Sequence, residues 1–304
     1  MATTTSFNQT VGIVGLGLVG RAIAARLRAA GIATIGYDVR AEARASFQGS
    51  AIAESPRRIG EQAACVVLAV FDTAGVLDVV EGANGLLSSS KPCTALLIDC
   101  STGDPDKLQA LATRLAARGV GFIEAPLSGS SQQIEAGDAT MLMGSDDATV
   151  AQAEPVLQAI ASTRVHVGGA GMGARAKLAT NLVLGLNRAA LAEGMVFAER
   201  LGIPPARFLD LVLATPARSG AAEAKGRMMV EERFEPQSRI RQHLKDVDLM
   251  IAAAAAQGQA LPLSEAHATL MRSAIAAGDG DLDNAAILRQ LRRERSPSSN
   301  THER

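Results

Sequence analysis

The sequence predicts an α/β fold in which a doubly wound, mostly parallel sheet is followed by an all-helical domain. Short apolar runs alternate with amphipathic helical stretches up to about residue 168, which is typical of a parallel sheet covered on both faces. Beyond residue 172 every periodic stretch repeats at helical spacing. We therefore place one domain at residues 1–168 and a second at 169–304, joined by a long interdomain helix, and expect residues 1–9 and 296–304 to be disordered.

The elements follow from the apolar periodicity. In the first domain it predicts strands at 11–16, 33–37, 65–71, 95–99, 121–125 and 140–144, and helices at 17–30 and 107–118. The proline-free run 172–201, which ends at Gly202-Ile203-Pro204, predicts the long helix. Further helices are predicted at 205–213, 219–231, 241–257, 263–277 and 282–293.

Composition excludes several classes of function. The formal net charge of -1 leaves no basic patch for nucleic acid or for an anionic membrane. The N-terminus has no signal-peptide pattern, and the longest apolar stretches are well short of about 18 residues, so we expect a soluble, cytoplasmic protein. The three cysteines and four histidines show no metal-binding spacing, so we expect no metal and interpret the cysteines as buried apolar side chains.

A glycine pattern lies where the first strand meets the first helix, as Gly15-Leu16-Gly17-Leu18-Val19-Gly20. Its three glycines suit a tight turn, close approach of a pyrophosphate and close helix packing, which predicts a Rossmann dinucleotide site. Asp38 ends the second strand, 23 positions after Gly15, where a carboxylate binds ribose hydroxyls and disfavours a 2′-phosphate. NAD is therefore preferred, although Arg40 leaves NADP open. The alternative is a glycine turn that binds no nucleotide.

Two loops follow later strands. Asp99-Cys100-Ser101-Thr102-Gly103-Asp104-Pro105 places hydroxyl groups at the end of a parallel strand, where such folds bind ligands. Capping of the next helix by Asp104 or Thr102 is the alternative. Ala125-Pro126-Leu127-Ser128-Gly129-Ser130 is a small-residue turn whose N–H groups can hold a carboxylate. A plain β-turn is the alternative there.

The long helix carries a polar stripe on an otherwise apolar sequence. Lys177 and Asn181 are one turn apart and share a face, and Arg188 lies roughly two turns further along it. A surface lysine with its stem on apolar neighbours is the alternative for Lys177.

In this order the segments GIVGLGLVGRAIAARL, DCSTGDP, APLSGS, GMGARAKLATN and KDVDL resemble the β-hydroxyacid dehydrogenase family, which includes 3-hydroxyisobutyrate dehydrogenases and tartronate semialdehyde reductases. The resemblance spans Val11 to about Leu291. Val19, Ser130 and Thr180 stand where relatives commonly have methionine, glycine and asparagine, and Phe71 lies where many have a leucine-proline pair.

The resemblance implies a role for each segment. Lys177 would be the catalytic acid/base, and Asn181 would orient the substrate and the lysine. Substrate would bind Ser101, Ser128, Gly129 and Ser130. The cofactor would bind the six residues Gly15 to Gly20 together with Asp38, Val70, Phe71, Thr102 and Lys245. For Lys245 a solvated charge cluster is the alternative. Relatives assemble through the helical domain, so we expect a homodimer or homotetramer.

The predicted reaction is hydride transfer between NAD(P) and a small 3-hydroxy acid or its semialdehyde. The carbonyl oxygen gains negative charge as hydride arrives, and a positioned lysine supplies the proton. A reductase similar to 6-phosphogluconate dehydrogenase or an imine reductase is the alternative among enzymes. A non-catalytic dinucleotide-binding sensor is the alternative from another class.

Overall fold

The computed structural model describes residues 10–47 and 50–294. The predicted disordered segments, residues 1–9 and 296–304, lie outside the described residues. The chain forms two compact units, one up to Ala179 and the other from Thr180.

The first unit is an α/β layer structure. Its strands are β1 (Val11–Val14), β2 (Thr34–Tyr37), β3 (Ala51–Ile52), β4 (Cys65–Leu68), β5 (Leu96–Asp99), β6 (Gly121–Glu124), β7 (Leu127–Ser128), β8 (Thr140–Gly144) and β9 (Thr163–Gly168). Its helices are α1 (Leu18–Ala29), α2 (Ala41–Ala45), α3 (Pro56–Gly60), α4 (Thr73–Glu81), α5 (Pro105–Ala116), α6 (Ser131–Ala136) and α7 (Asp147–Ile160).

The strands form one sheet, whose order over the described residues is β3-β2-β1-β4-β5-β6-β8-β7, with β9 beside β8. The six strands from β3 to β6 in that order are parallel, whereas β8 is antiparallel to β6 and β7 and parallel to β9. The chain reverses direction across the sheet at β1 and β4, so the carboxyl ends of these strands form the crevice where doubly wound folds bind ligands.

Alternate side chains of the central strands enter two separate cores. In β4, Val67 belongs to the core under α1 and α7, whereas Val66 and Leu68 belong to the core under α3, α4 and α5. Because successive strand residues point to opposite faces, this alternation requires apolar helices on both sides. The predicted doubly wound, mostly parallel sheet is confirmed.

The chain continues through α8 (Met172–Arg200) into helices. They are α9 (Pro205–Ala214), α10 (Gly220–Val230), α11 (Ile240–Ala256), α12 (Pro262–Ala276) and α13 (Ile287–Arg293), with a 3-10 turn at Asn284–Ala286. An isolated β-bridge joins Arg239 to Asp283. The prediction of a helical second half is confirmed, and no helix within the described residues is long and apolar enough to cross a membrane.

Several boundaries differ from the prediction for local reasons. The first strand ends at Val14 because Gly15 turns the chain with a φ of 97°. The strand predicted at 65–71 ends at Leu68, and the N–H of Val70 then donates to the Ser101 hydroxyl. The prediction of three buried cysteines was wrong for Cys93, which is exposed in the loop before β5 while Cys65 and Cys100 are buried.

Candidate active site

Two of the three glycines in the pattern at the start of α1 are required by close contacts, and the third faces open space. A Cβ on Gly15 would lie 2.3 Å from the Ala69 carbonyl oxygen, and one on Gly20 would lie 1.8 Å from the Gly15 carbonyl oxygen. These two glycines are therefore needed for the turn and for packing of α1 on it. A Cβ on Gly17 would meet only the Arg40 guanidinium, at 3.8 Å. The space beside Gly17 and the N-terminus of α1 suits a pyrophosphate.

Asp38 follows β2 and ties the loop to Arg40. Its Oδ2 accepts the Leu16 N–H at 2.8 Å, and its Oδ1 accepts the Arg40 backbone N–H at 2.9 Å. The Arg40 guanidinium donates to both carboxylate oxygens at 3.0 Å. Burial acts to raise the pKa of Asp38, but the bonds from Arg40 and Leu16 outweigh it and lower the pKa. Asp38 is therefore ionised at neutral pH, and a ribose diol would take the place of the Arg40 guanidinium on its two oxygens.

The loops after β4 and β5 lie side by side. The Ser101 hydroxyl accepts the Val70 N–H at 3.1 Å, and the Ser101 N–H donates to Asp99. Ser101 is buried, Thr102 is half-buried, and Phe71 is exposed. Asp104 caps α5, as the alternative for this loop anticipated. The contacts of Val70, Phe71 and Thr102 with a cofactor stay predictions.

Lys177 contacts the turn after β6, which lies 50 positions earlier in the sequence. Its Nζ donates to the Leu127 carbonyl oxygen at 2.8 Å, and Leu127 immediately precedes Ser128. Lys177 is only 7% exposed, which excludes the alternative of a surface lysine. The amine and the predicted carboxylate cradle thus lie together within the first unit.

One residue of the predicted carboxylate cradle, Ser130, caps a helix. The Ser130 hydroxyl accepts the Gln133 N–H, and the Ser130 N–H donates to the Gln133 side chain at 2.8 Å. This is a capping box at the start of α6. Ser128 is half-buried and Gly129 is exposed. Substrate binding by Ser128, Gly129 and Ser130 stays a prediction.

Glu124 is a positioning residue that was not predicted from the sequence. It ends β6, is buried, and accepts the N–H groups of Gly171 at 2.6 Å and Ala174 at 2.9 Å. It therefore fixes the start of α8, from which Lys177 projects. Burial raises the pKa of Glu124, although the two N–H donors oppose the shift. A charged residue at the end of an otherwise apolar strand was the signal in the sequence.

Asn181 is held by a carboxylate in the second unit. Its Nδ2 donates to Asp246 Oδ2 at 3.1 Å, and Asp246 Oδ1 forms an ion pair with Lys245 Nζ at 2.8 Å. Asn181 and Asp246 are buried, and the side chain of Lys245 is 16% exposed. Asp246 was visible in the KDVDL segment, but its pairing with Asn181 was not predicted. Cofactor contact by Lys245 stays a prediction.

Comparison with known proteins covers both halves of the chain. Residues 10–169 match the NAD-binding domain of 6-phosphogluconate dehydrogenase, and residues 171–291 match the NAD-binding region of NADP-dependent 3-hydroxyisobutyrate dehydrogenase. The chain is 30% identical to L-threonate dehydrogenase of Escherichia coli O6:H1, over 92% of this chain and 93% of the relative. It is 28% identical to 2-(hydroxymethyl)glutarate dehydrogenase of Eubacterium barkeri, over the same shares.

A solved structure agrees. The crystal structure of 3-hydroxyisobutyrate dehydrogenase from Salmonella typhimurium matches with a TM-score of 0.83 and 29% identity, over 93% of this chain and 99% of that one. The predicted family is confirmed: the chain belongs to the β-hydroxyacid dehydrogenases, NAD(P)-dependent oxidoreductases of short hydroxy acids.

Proposed function

We propose that this chain interconverts a small 3-hydroxy acid and its semialdehyde. Lys177 is the general acid/base, and Asn181 orients the substrate and the lysine. The observation that carries this assignment is the 2.8 Å contact of Lys177 Nζ with the carbonyl oxygen of Leu127. It brings the lysine amine next to the Ser128 turn, where the N–H groups suit a substrate carboxylate. An acid bound there would present its carbinol to the lysine.

The chemistry of the chain's own groups is proton transfer and positioning. The cofactor, held by the glycine loop and Asp38, would supply the acceptor for the hydride that leaves the carbinol carbon. Lys177 accepts the hydroxyl proton as the carbonyl bond forms, and it returns that proton in the reduction. Asn181 cannot turn freely, because its amide donates to Asp246. Burial of Lys177 and Asn181 keeps water from competing for these hydrogen bonds.

Three further assignments belong to this proposal. The ionised Asp38 supports a preference for NAD over NADP. Residues 1–168 would bind the cofactor, and residues 169–304 would contribute to substrate binding and to a cytoplasmic homodimer or homotetramer. Two of the relatives are named for four-carbon hydroxy acids, L-threonate and 3-hydroxyisobutyrate, so the substrate class we propose is a hydroxy acid of three to five carbons.

Replacement of Lys177 by alanine tests the assignment. We expect the kcat for NAD-linked oxidation of the best C3–C5 hydroxy acid to fall about 10²–10⁴-fold, the usual contribution of a positioned acid/base. NADH binding, measured by nucleotide fluorescence, should change by less than about threefold, since no contact of the glycine loop is removed.

Lys91→Ala is the matched control, because Lys91 is an exposed lysine of the first unit, and it should retain full activity. A Lys177→Ala enzyme within tenfold of the wild-type kcat would contradict the role of Lys177. Wild-type protein that binds NADH but turns over no hydroxy acid would contradict the proposed substrate class.

A further inference from the structure

Arg188 is the member of the α8 polar stripe that the proposed chemistry does not use. It lies seven positions after Asn181 on the buried face of the helix and is only 4% exposed. Seven residues correspond to about 10 Å along a helix. Its guanidinium is therefore a separate buried charge inside the second unit.

The carboxylate that acts on Arg188 is Asp283, and it also pairs with Lys225. Asp283 Oδ2 accepts a hydrogen bond from the Lys225 Nζ at 2.9 Å and from the N–H groups of Gln237 and Ser238 at 2.9 and 3.1 Å. Its Oδ1 accepts the Ala285 N–H at 3.0 Å. The single negative charge of Asp283 is therefore shared between the Lys225 ammonium, which it touches, and the Arg188 guanidinium, on which it acts through space.

Arg188 and Lys225 consequently share one carboxylate, which leaves one positive charge in excess among these three residues. Its Nη2 is fully buried and has no hydrogen-bond partner among residues 10–47 and 50–294. Burial lowers the pKa of Arg188 to about 10, with the charge of Asp283 opposing the shift, so the guanidinium stays charged at neutral pH. An unpaired buried cation is strongly unfavourable unless an anion or acceptor meets it.

Two histidines near this charge add no negative charge. The rings of His243 and His267 lie 5.4 Å apart between centroids. Burial, with the charge of Arg188 second, lowers the pKa of His267 to about 4, so it is neutral at neutral pH. His243 packs on the backbone of α8 at Gly185, where a Cβ would lie 2.5 Å from its Nε2. The surroundings of Arg188 are thus polar, and these two rings do not neutralise its charge.

We propose that Arg188 binds a small monovalent anion inside the second unit. Arg188, Lys225 and Asp283 leave one net positive charge, and the orphaned Nη2 supplies a directional donor. Chloride and a one-carbon carboxylate share the required charge and size. The site would stabilise the fold of the second unit independently of the dehydrogenase chemistry.

The test is thermal unfolding of the full chain at constant ionic strength, with sodium gluconate replaced stepwise by sodium chloride or sodium formate. Gluconate has six carbons and is too large for a site of the size proposed. We expect a saturating rise of about 2–4 °C in the unfolding midpoint with chloride, because a ligand of the native state stabilises by mass action. If formate gives the same rise in the unfolding midpoint, the site also binds carboxylates. If only chloride gives a rise, the site is specific for halides.

Arg188→Met removes the charge at similar length and should abolish the rise, whereas Arg207→Met, at an exposed arginine of the same unit, should retain it. Equal midpoints of the wild type in gluconate, chloride and formate would overturn the proposal, as would a rise that survives in Arg188→Met. If Arg188→Met fails to fold, chloride-35 line broadening decides on the wild type. Broadening of the chloride-35 line by the protein that is removed by a surplus of formate or bromide supports the site. If the protein causes no such broadening, the proposal is overturned.

Discussion

At the scale of single residues, Asp38 connects the glycine loop to Arg40. The two side chains have opposite effects on cofactor preference, because Asp38 repels a 2′-phosphate and Arg40 attracts one. It accepts the Leu16 N–H with one oxygen and binds the Arg40 guanidinium with both. While this pair persists, the Arg40 guanidinium is neutralised by the Asp38 carboxylate, which we propose to bind the ribose. Arg40 and Asp38 must therefore be considered together, since each changes the effect of the other.

Replacing Asp38 by serine should shift the cofactor preference toward NADP. The change removes the negative charge that repels a 2′-phosphate and releases Arg40 to bind one. We expect the ratio of kcat/KM for NADP to that for NAD to rise at least about tenfold, equivalent to roughly 1.4 kcal/mol. Steady-state kinetics with both cofactors measure it. The double variant with Arg40→Ala should lose the gain in NADP use, and an unchanged ratio in Asp38→Ser would contradict the assignment.

At the scale of elements, the start of α8 depends on one buried carboxylate. Glu124 accepts two of the N–H groups that a helix leaves unpaired in its first turn. It also carries a raised pKa, mainly because of burial. A raised folded-state pKa means that its stabilising effect is complete below the unfolded value of about 4.5 and declines as pH rises through the folded value.

The variant Glu124→Gln should therefore show a pH-dependent loss of stability. Glutamine keeps one acceptor oxygen and does not ionise, so we expect the free energy of unfolding to fall by about 1–3 kcal/mol near pH 4.5. The deficit should shrink as pH rises, because only the wild type then incurs the cost of ionising a buried acid. Urea unfolding between pH 4.5 and 7.5 measures it. Glu54→Gln, at an exposed glutamate, should stay within about 0.5 kcal/mol of wild type; a deficit that grows with pH would contradict the argument.

At the scale of the whole molecule, the outer side of α8 has an apolar stripe. Val183, Phe197 and Leu201 are exposed by 56%, 64% and 62%. Phe197 also lines a groove of about 900 Å³ with Ala190, Val196 and Leu291. Exposed apolar surface of this kind commonly marks a contact between proteins. We assign this face to the proposed homo-oligomer.

The variant Phe197→Asp should reduce the size of the oligomer. A carboxylate at the centre of an apolar contact lacks a partner and costs several kcal/mol when buried. We expect light scattering coupled to size exclusion to report a dimer or tetramer for the wild type and a smaller species for the variant. Val39→Asp, at an exposed apolar residue of the first unit, should leave the mass unchanged. A monomeric wild type would contradict the assignment.

Local sequence patterns were sufficient to predict the fold class. The glycine spacing, Asp38 at the end of a strand, and the i, i+4 placement of Lys177 and Asn181 are short-range features. Helical and strand periods determine which faces are buried, so the parallel sheet and the helical second half could be predicted. The capping box of Ser130 and Gln133 was also readable from sequence, although the prediction considered Ser130 only as a substrate contact.

The tertiary structure alone decided which distant groups meet. Lys177 meets Leu127, Glu124 meets Gly171, and Asp283 pairs with Lys225, 58 positions away. Periodicity predicts that a residue faces the interior but not which partner it finds there, because pairing depends on the order of strands and the packing of helices. By itself the sequence determined the fold class, the family and the candidate residues. The tertiary structure determined which hydrogen bonds these residues form, and it shows that the buried Nη2 of Arg188 has no hydrogen-bond partner among the described residues.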